Sequence, residues 1–428
     1  MWASRGLLAA RLPNTARQPP HWSSRVMSSQ SLNADSKAVT TIPRGTALAL
    51  VVAGFVTFVN MWCTQAILPV LAKTLHSSPE ATGYTVTAPL IATAAMAPVI
   101  GMVSDRFGRR IFIRGAALLL VIPTMLAAFS TSLAMLVACR FAQGLLLPFI
   151  FTITIAYISD EMSPANAMRM VGIYTSGTIS GGFSGRLIVG FVTSVLSWRA
   201  GFLAVGLITL AASLTIALLL PRERNFRPIT SFSGALASFP NHLSNKRLLG
   251  TYAVGFGVLF SIVSVFTFIN FRLAAAPYHL GPAALGAIFV VYLGGVAASP
   301  IAGRLGAKLN RSWLMAGCVS LILAGLALTL FASLWLIGLG LLLVCFGVFP
   351  QQTFATGFVG VAARGAKSTA VGLYVTSYYI GGSFGGIIPA AAWHLAGWPG
   401  CAGITAAMQL AMLGFAWKSW RTPNHLNN

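Results

Sequence analysis

Apolar windows of about 20 residues, the length that crosses a hydrocarbon core, alternate with short polar intervals between residues 46 and 418. They predict spans over 46–71, 83–104, 111–130, 133–158, 167–192 and 198–220, then over 249–273, 283–303, 313–331, 334–358, 368–392 and 398–418. Backbone groups in lipid must pair within their own segment, so the spans are expected to be helices. The pattern predicts an all-α membrane protein with twelve transmembrane helices, divided six and six by the polar interval 221–247. The implied divisions are an N-terminal tail (1–44), a six-helix bundle (45–220), a linker (221–247), a second six-helix bundle (248–420) and a short tail (421–428).

Composition agrees with a lipid solvent. The chain is 56% hydrophobic and 8% charged, where soluble domains carry about 25% charged residues. A net charge of +22 invites a nucleic-acid partner, but the basic residues punctuate apolar stretches instead of forming one surface, which excludes that class. With both termini inside, the external connections carry only Lys73, Arg199 and Arg272, and the remaining basic residues outside the spans fall on the cytoplasmic side. The first 44 residues are rich in Arg, Ser and Pro, with no acid before Asp35. That composition resembles a mitochondrial transit peptide; the plainer reading is a cytoplasmic tail, or a stretch upstream of a true start at Met27.

The two halves repeat each other. At an offset of 200, Gly172, Tyr174, Gly181, Gly182, Gly185 and Trp198 recur as Gly372, Tyr374, Gly381, Gly382, Gly385 and Trp398. At other offsets Pro98, Gly101 and Arg109 match Pro300, Gly303 and Arg311, and Phe58 and Asn60 match Phe268 and Asn270. Parallel repeats with a substrate path at their interface are a transporter architecture.

Between spans two and three lies a burst of charge, Gly101-x-x-x-Asp105-Arg106-x-Gly108-Arg109-Arg110. It resembles the signature loop of the major facilitator superfamily, and Arg140-x-x-Gln143-Gly144 resembles that superfamily's fourth-span motif. The resemblance covers roughly residues 45–420. Within it, Gly181-Gly182-Phe-Ser-Gly185-Arg186 followed by Trp198-Arg199 looks like the bacterial arabinose-efflux-like permeases, including the YnfM type. What it implies is a secondary-active exporter in the bacterial inner membrane; a mitochondrial membrane is the alternative location. The family's drug-antiporter motif has Pro where Gly182 stands and Gly where Arg186 stands, a departure that argues against a standard drug antiporter.

In the loop, Asp105 can engage a helix N-terminus, which favours an anion, while Gly101 and Gly108 allow close backbone approach. The resemblance implies a latch that holds the halves together in the outward-open state; a topology determinant is the alternative. The second-half copy has Ala307 where the acid would stand, so any latch is lopsided. Asp160, Glu161 and Arg169 bracket the next turn on that side and resemble the family's charge cluster, able to pair with Arg109 or Arg110.

Arg140 lies inside the fourth span, where an arginine costs roughly 2.5–3.5 kcal/mol on insertion scales, so it must face a wet cavity or a partner. The resemblance ties it, with Gln143, to proton coupling; a strut between helices is the alternative. Arg186 sits at a similar depth in the fifth span, giving either a cationic pocket for anionic or hydroxyl-rich cargo or a side chain that snorkels to the interface. Asn60, Gln65, Asn270 and Arg272 occupy the outer parts of spans one and seven, where side-chain amides can bind cargo or cement helices. Tyr174, Tyr374, Tyr378 and Tyr379 are further candidates for the cavity wall. Gly177, Gly181, Gly182, Gly185, Gly381, Gly382 and Gly385 form small-residue stripes suited to helix packing.

All six acids are Asp35, Glu80, Asp105, Asp160, Glu161 and Glu223, and none falls deep within a span. No Walker loop, metal-ligand spacing or paired catalytic groups appear, so neither ATP nor an enzymatic role is indicated. The expectation is a monomeric carrier in the lipid bilayer with no cofactor, moving a small hydrophilic or anionic solute, a sugar or a drug-like molecule, outward against protons. A passive sugar or organic-anion facilitator and a transport-dead sensor are the alternatives.

Overall fold

The computed structural model describes residues 42–224, 240–306, 309–363 and 367–420. The tail up to residue 41, Arg227 in the linker, Ala307 and Lys308, and the tail 421–428 lie outside the described residues, as do the surroundings of Gly101 and the side chain of Asp105. Among the described residues the chain forms α1 (Arg44–Thr74), α2 (Pro79–Phe107), α3 (Arg109–Ala128), α4 (Leu133–Glu161), α5 (Pro164–Val195) and α6 (Trp198–Leu219). The second half follows with α7 (Lys246–Ala274), α8 (Pro282–Leu305), α9 (Arg311–Leu328), α10 (Leu334–Ala362), α11 (367–396) and α12 (398–420). This is the twelve-helix fold of two pseudo-symmetric bundles.

Local chemistry sets the boundaries. Ser78, Ser132 and Ser197 each accept a hydrogen bond from the backbone N–H three residues on, capping α2, α4 and α6. Asn245 and Asn310 cap α7 and α9 by accepting from the backbone N–H two residues on. Pro79, Pro164 and Pro282 stand in first turns, where no intrahelical N–H is needed. Gly397, at φ 58° and ψ −143°, breaks the final helical run into α11 and α12. Its left-handed φ is one that L side chains rarely adopt. α5 is less apolar than its neighbours because its middle, 175–185, reads Thr-Ser-Gly-Thr-Ile-Ser-Gly-Gly-Phe-Ser-Gly.

Two helices are interrupted. α1 is helical to Trp62, passes through a 3₁₀ turn at Gln65–Ile67 and resumes at Leu68–Thr74. Pro69 accounts for the break, since its ring clashes with the carbonyl four residues earlier, at Gln65. α8 carries a similar 3₁₀ turn at Ile288–Val290.

Glycines bring helix pairs into backbone contact, and they do so identically in both halves. Gly181 lies on the Phe55 carbonyl of α1, and Gly381 on the Phe256 carbonyl of α7. Gly185 faces Val59 and Gly385 faces Phe260, while Tyr174 packs on Gly54 as Tyr374 packs on Gly255. The halves meet along α2 with α11 and α5 with α8. We refer to the end carrying Arg106, Arg109, Arg110, Arg169 and Arg311 as the basic end and to the opposite one as the far end.

A Cβ at Gly181 or Gly381 would strike a backbone carbonyl, whereas Gly172 and Gly372 have nothing within 4 Å. Gly181→Ala and Gly381→Ala are therefore expected to lower stability by about 1–3 kcal/mol. Gly172→Ala and Gly372→Ala serve as the neutral pair. Thermal unfolding of the four variants in detergent checks this; equal melting in all four contradicts the packing account.

Candidate functional site

The break in α1 creates the first polar centre. Where the helix ends, the carbonyls of Asn60 and Met61 run out of intrahelical donors. Arg140 of α4, 0% exposed, fills the place: Nη1 donates to the Asn60 carbonyl at 2.6 Å, Nη2 to the Met61 carbonyl at 2.7 Å, and Nε to the Thr85 carbonyl of α2 at 3.0 Å. Nη1 also donates to Gln143 Oε1. Every one of these partners is neutral. Around them, Asn60 donates to Thr209 of α6 at 2.8 Å and accepts from Thr124 of α3 at 2.7 Å, while Gln143 donates to Thr124 at 2.8 Å. Arg140, Gln143 and Asn60 thus tie five helices of the first half together, and none of the three is among the described residues that wall the cavity between the halves.

The cavity lies between the halves. It has a volume of about 690 Å³ and is walled by Phe58 and Trp62 of α1, residues 175–186 of α5, Leu259 and Ile262 of α7, residues 292–303 of α8, residues 349–356 of α10 and Tyr378 of α11. From Arg186 the lining extends toward the basic end, reaching Thr175, Gly303 and Thr356. Most of the wall is apolar; Thr175, Thr178, Ser299, Gln352, Thr353, Thr356 and Tyr378 supply neutral polar groups.

Among the described residues of this wall Arg186 is the charged one, and none carries a carboxylate. The side chain is 1% exposed. Nε donates to Gln65 Oε1 at 2.8 Å and Nη1 to the Gly182 carbonyl at 2.6 Å, but Nη2 has no hydrogen-bond partner. Its guanidinium carbon stands 4.3 Å from the Phe289 ring, 4.8 Å from Trp62 and 5.0 Å from Tyr292, within cation–π range of all three. The two intramembrane arginines therefore do not share one pocket: Arg140 is consumed by backbone carbonyls, and Arg186 alone borders the cavity.

Beyond Arg186 the far end is closed. Gln65 Nε2 donates to Thr267 of α7 at 3.4 Å, and the Gln65 carbonyl accepts from Asn270 Nδ2 at 2.7 Å. α5 and α8 touch there as well: a Cβ on Gly286 would stand 2.9 Å from the Arg186 carbonyl oxygen. Arg272 caps the end of α9, donating to the carbonyls of Thr329, Leu330 and Phe331. Gln65, Asn270 and Arg272 are thus spent on contacts between helices and stay out of the cavity wall. Tyr174 and Tyr374 are buried too; the Tyr174 hydroxyl donates to the Phe151 carbonyl at 3.2 Å, and Tyr374 stacks on cavity-lining Tyr378 at 6.2 Å. Of the glycines, Gly182 reaches the cavity, and the rest of the stripe faces neighbouring helices.

At the basic end, Arg109 Nε pairs with Asp160 at 2.6 Å. Glu223 accepts from the backbone N–H groups of Arg109 and Arg110 at 2.9 and 2.8 Å, where the positive end of the α3 dipole favours a carboxylate. Arg110 Nε donates to the Leu220 carbonyl at 2.8 Å, and Glu161 accepts from the Arg224 N–H at 2.9 Å. Gly108, at φ 97°, lets the chain turn beside Glu223. These contacts all lie within the first half and its exit segment. Arg106 and Arg169 are exposed on the same end.

Sequence reasoning missed Trp62, Phe289, Tyr292 and Gln352 in the site, and Glu223 at the basic end. Spacing alone does not separate aromatic residues that wall a cavity from those that face lipid or core. Glu223 carried a signal: it is the one acid between the end of α6 and the start of α7.

The sequence profile of the Major Facilitator Superfamily matches residues 50–386. The inner membrane transport protein YnfM of Escherichia coli (strain K12) is 35% identical over 382 residues, covering 87% of this chain and 91% of its own. An uncharacterized transporter of Buchnera aphidicola subsp. Schizaphis graminum (strain Sg) is 31% identical, over 82% of this chain and 86% of its own. In fold, the chain is similar to the crystal structure of the nucleoside transporter NupG, with a TM-score of 0.73 at 15% identity over 88% of this chain and 100% of that one. Twelve helices in repeated halves around a central cavity, with the profile spanning both halves, place the chain in the major facilitator superfamily.

Proposed function

We propose that this transporter is a secondary-active exporter of a small organic anion, working by alternating access and exchanging its cargo for protons. The observation that carries the anion is Arg186, a buried cation in a cavity wall whose described residues include no carboxylate. An uncompensated buried charge costs several kcal/mol even after relaxation, and three aromatic faces recover about 0.5–2 kcal/mol each. A bound anion supplies the rest. The neutral hydroxyls and amide toward the basic end suit a cargo with some polar substituents.

The excess of basic residues supports a cytoplasmic basic end and cytoplasmic termini in a bacterial inner membrane. On that orientation the cavity faces the cytoplasm and the closed far end faces out, the state in which an exporter collects its cargo. Proton exchange rests on the family resemblance. Among the described residues Glu80 stands at the far end and Asp160, Glu161 and Glu223 at the basic end, so these end groups, not a mid-span carboxylate, are the proposed proton carriers.

Everted membrane vesicles test this reading. Accumulation of an aromatic carboxylate that collapses with a protonophore is the expected result, and equilibration indifferent to the protonophore would make the protein a facilitator. Arg186→Gln should slow uptake about tenfold or more, as expected for losing charge-assisted bonds worth roughly 1.5–3 kcal/mol. Arg186→Lys should be milder, keeping the charge without the fork. Arg140→Gln should instead lower the melting temperature and folded yield while leaving the cargo preference of the surviving protein unchanged; a changed preference contradicts the strut role.

A further inference from the structure

Arg186 presents one edge that is half used. The Nε and Nη2 protons of a guanidinium lie side by side and match the two oxygens of a carboxylate. Here Nε is held by Gln65 Oε1 and Nη2 is buried without any acceptor. A buried charged donor left unmade is costly and calls for a partner that arrives from elsewhere. The group already has three rings close by, with Phe289, Trp62 and Tyr292 within 5.0 Å. The group lacks an acceptor in its plane, not another aromatic contact.

Gln65, which occupies the other half of that edge, belongs to the closed far end. Its side chain reaches Thr267 and its carbonyl takes the Asn270 amide, both on α7. The same residue therefore competes for the arginine and joins the two halves.

We propose that the site takes a monocarboxylate with a flat apolar body, whose two oxygens occupy Nε and Nη2 of Arg186, displace the Gln65 side chain and so loosen the far end. The inference rests on the organic-anion reading and gives it a cargo class and a coupling step. One carboxylate suffices because the described residues of the wall offer one cation; a second would be stranded among neutral groups. Trp62 and Tyr292 both cover the guanidinium and line the cavity, so the carboxylate passes between them and the body stays stacked on their rings. A sugar has hydroxyls for the polar wall but no paired anionic oxygens for the open edge.

The test titrates 1-naphthoate into the purified protein in lipid nanodiscs by calorimetry, with 1-naphthamide as the neutral counterpart. Naphthoate is expected to bind and naphthamide is not. Gln65→Ala removes the competitor at Nε and should bind naphthoate about tenfold tighter. Gln65→Glu fixes a carboxylate on the same edge and should weaken binding by about tenfold or more. Spin labels at Lys73 and His279, exposed on the two sides of the far end, should move apart when naphthoate is added. Naphthoate binding that neither Gln65 variant alters overturns the displacement and leaves the anion reading intact. An unchanged label distance with full binding overturns the link to the far end. Equal binding of the acid and the amide, or no binding of the acid, overturns the anion reading and this proposal together.

Discussion

A charge inside a lipid-embedded helix bundle must find its partner within the protein, and the first half of this chain is organised around one such match. The interruption of α1 strips donors from two carbonyls, and Arg140 restores them while reaching to α2 and Gln143. Neither feature is stable without the other: the exposed carbonyls need a donor, and the arginine needs acceptors where no acid is at hand. The break then has a use. It sets Trp62 in the cavity wall and Gln65 against α7. Arg186 is as deeply buried as Arg140 yet only partly satisfied, and that difference separates a structural charge from a binding one.

Close glycine contacts hold helices together within each half and also where the halves meet. Within each half, glycines of α5 and α11 lie on the carbonyls of α1 and α7, contacts too close to slide without steric cost. Between the halves, at the far end, side-chain bonds such as that of Gln65 with Thr267 stand beside glycine contacts of α5 with α8, Gly190 on the Pro282 carbonyl and Gly286 on that of Arg186. On the proposed cycle the halves rock as units and the far-end bonds are the ones remade. At the basic end the Arg109–Asp160 ion pair and the Glu223 cap on α3 join parts of the first half and its exit segment.

Hydrophobic periodicity made the fold legible, because a segment in lipid has almost no choice but a helix about 20 residues long. The glycine repeat also disclosed the packing of α5 and α11, since small residues at four-residue spacing mark one face. Depth was legible for Arg140 and Arg186, but their partners were not. Which way an arginine points depends on helix rotation and on the break at residues 63–65, and neither follows from a window of hydropathy. The same limit hid Tyr292 and Gln352, whose neighbours on α8 and α10 look alike in sequence. Asn60, Gln65 and Asn270 were open to two readings, cargo contact or cement; the geometry places them on helix contacts because amides in a dry interior are used where backbone groups or hydroxyls lack partners.

The central claim is that Arg186 is an anion seat inside a moving carrier. Solid-supported membrane electrophysiology on proteoliposomes tests it most directly, because it reads charge displacement on cargo binding. A concentration jump of 1-naphthoate is predicted to give a transient current carrying negative charge into the protein, absent with 1-naphthamide and abolished in Arg186→Gln. A current of equal size in Arg186→Gln, or a response to the neutral amide as large as to the acid, would contradict the account.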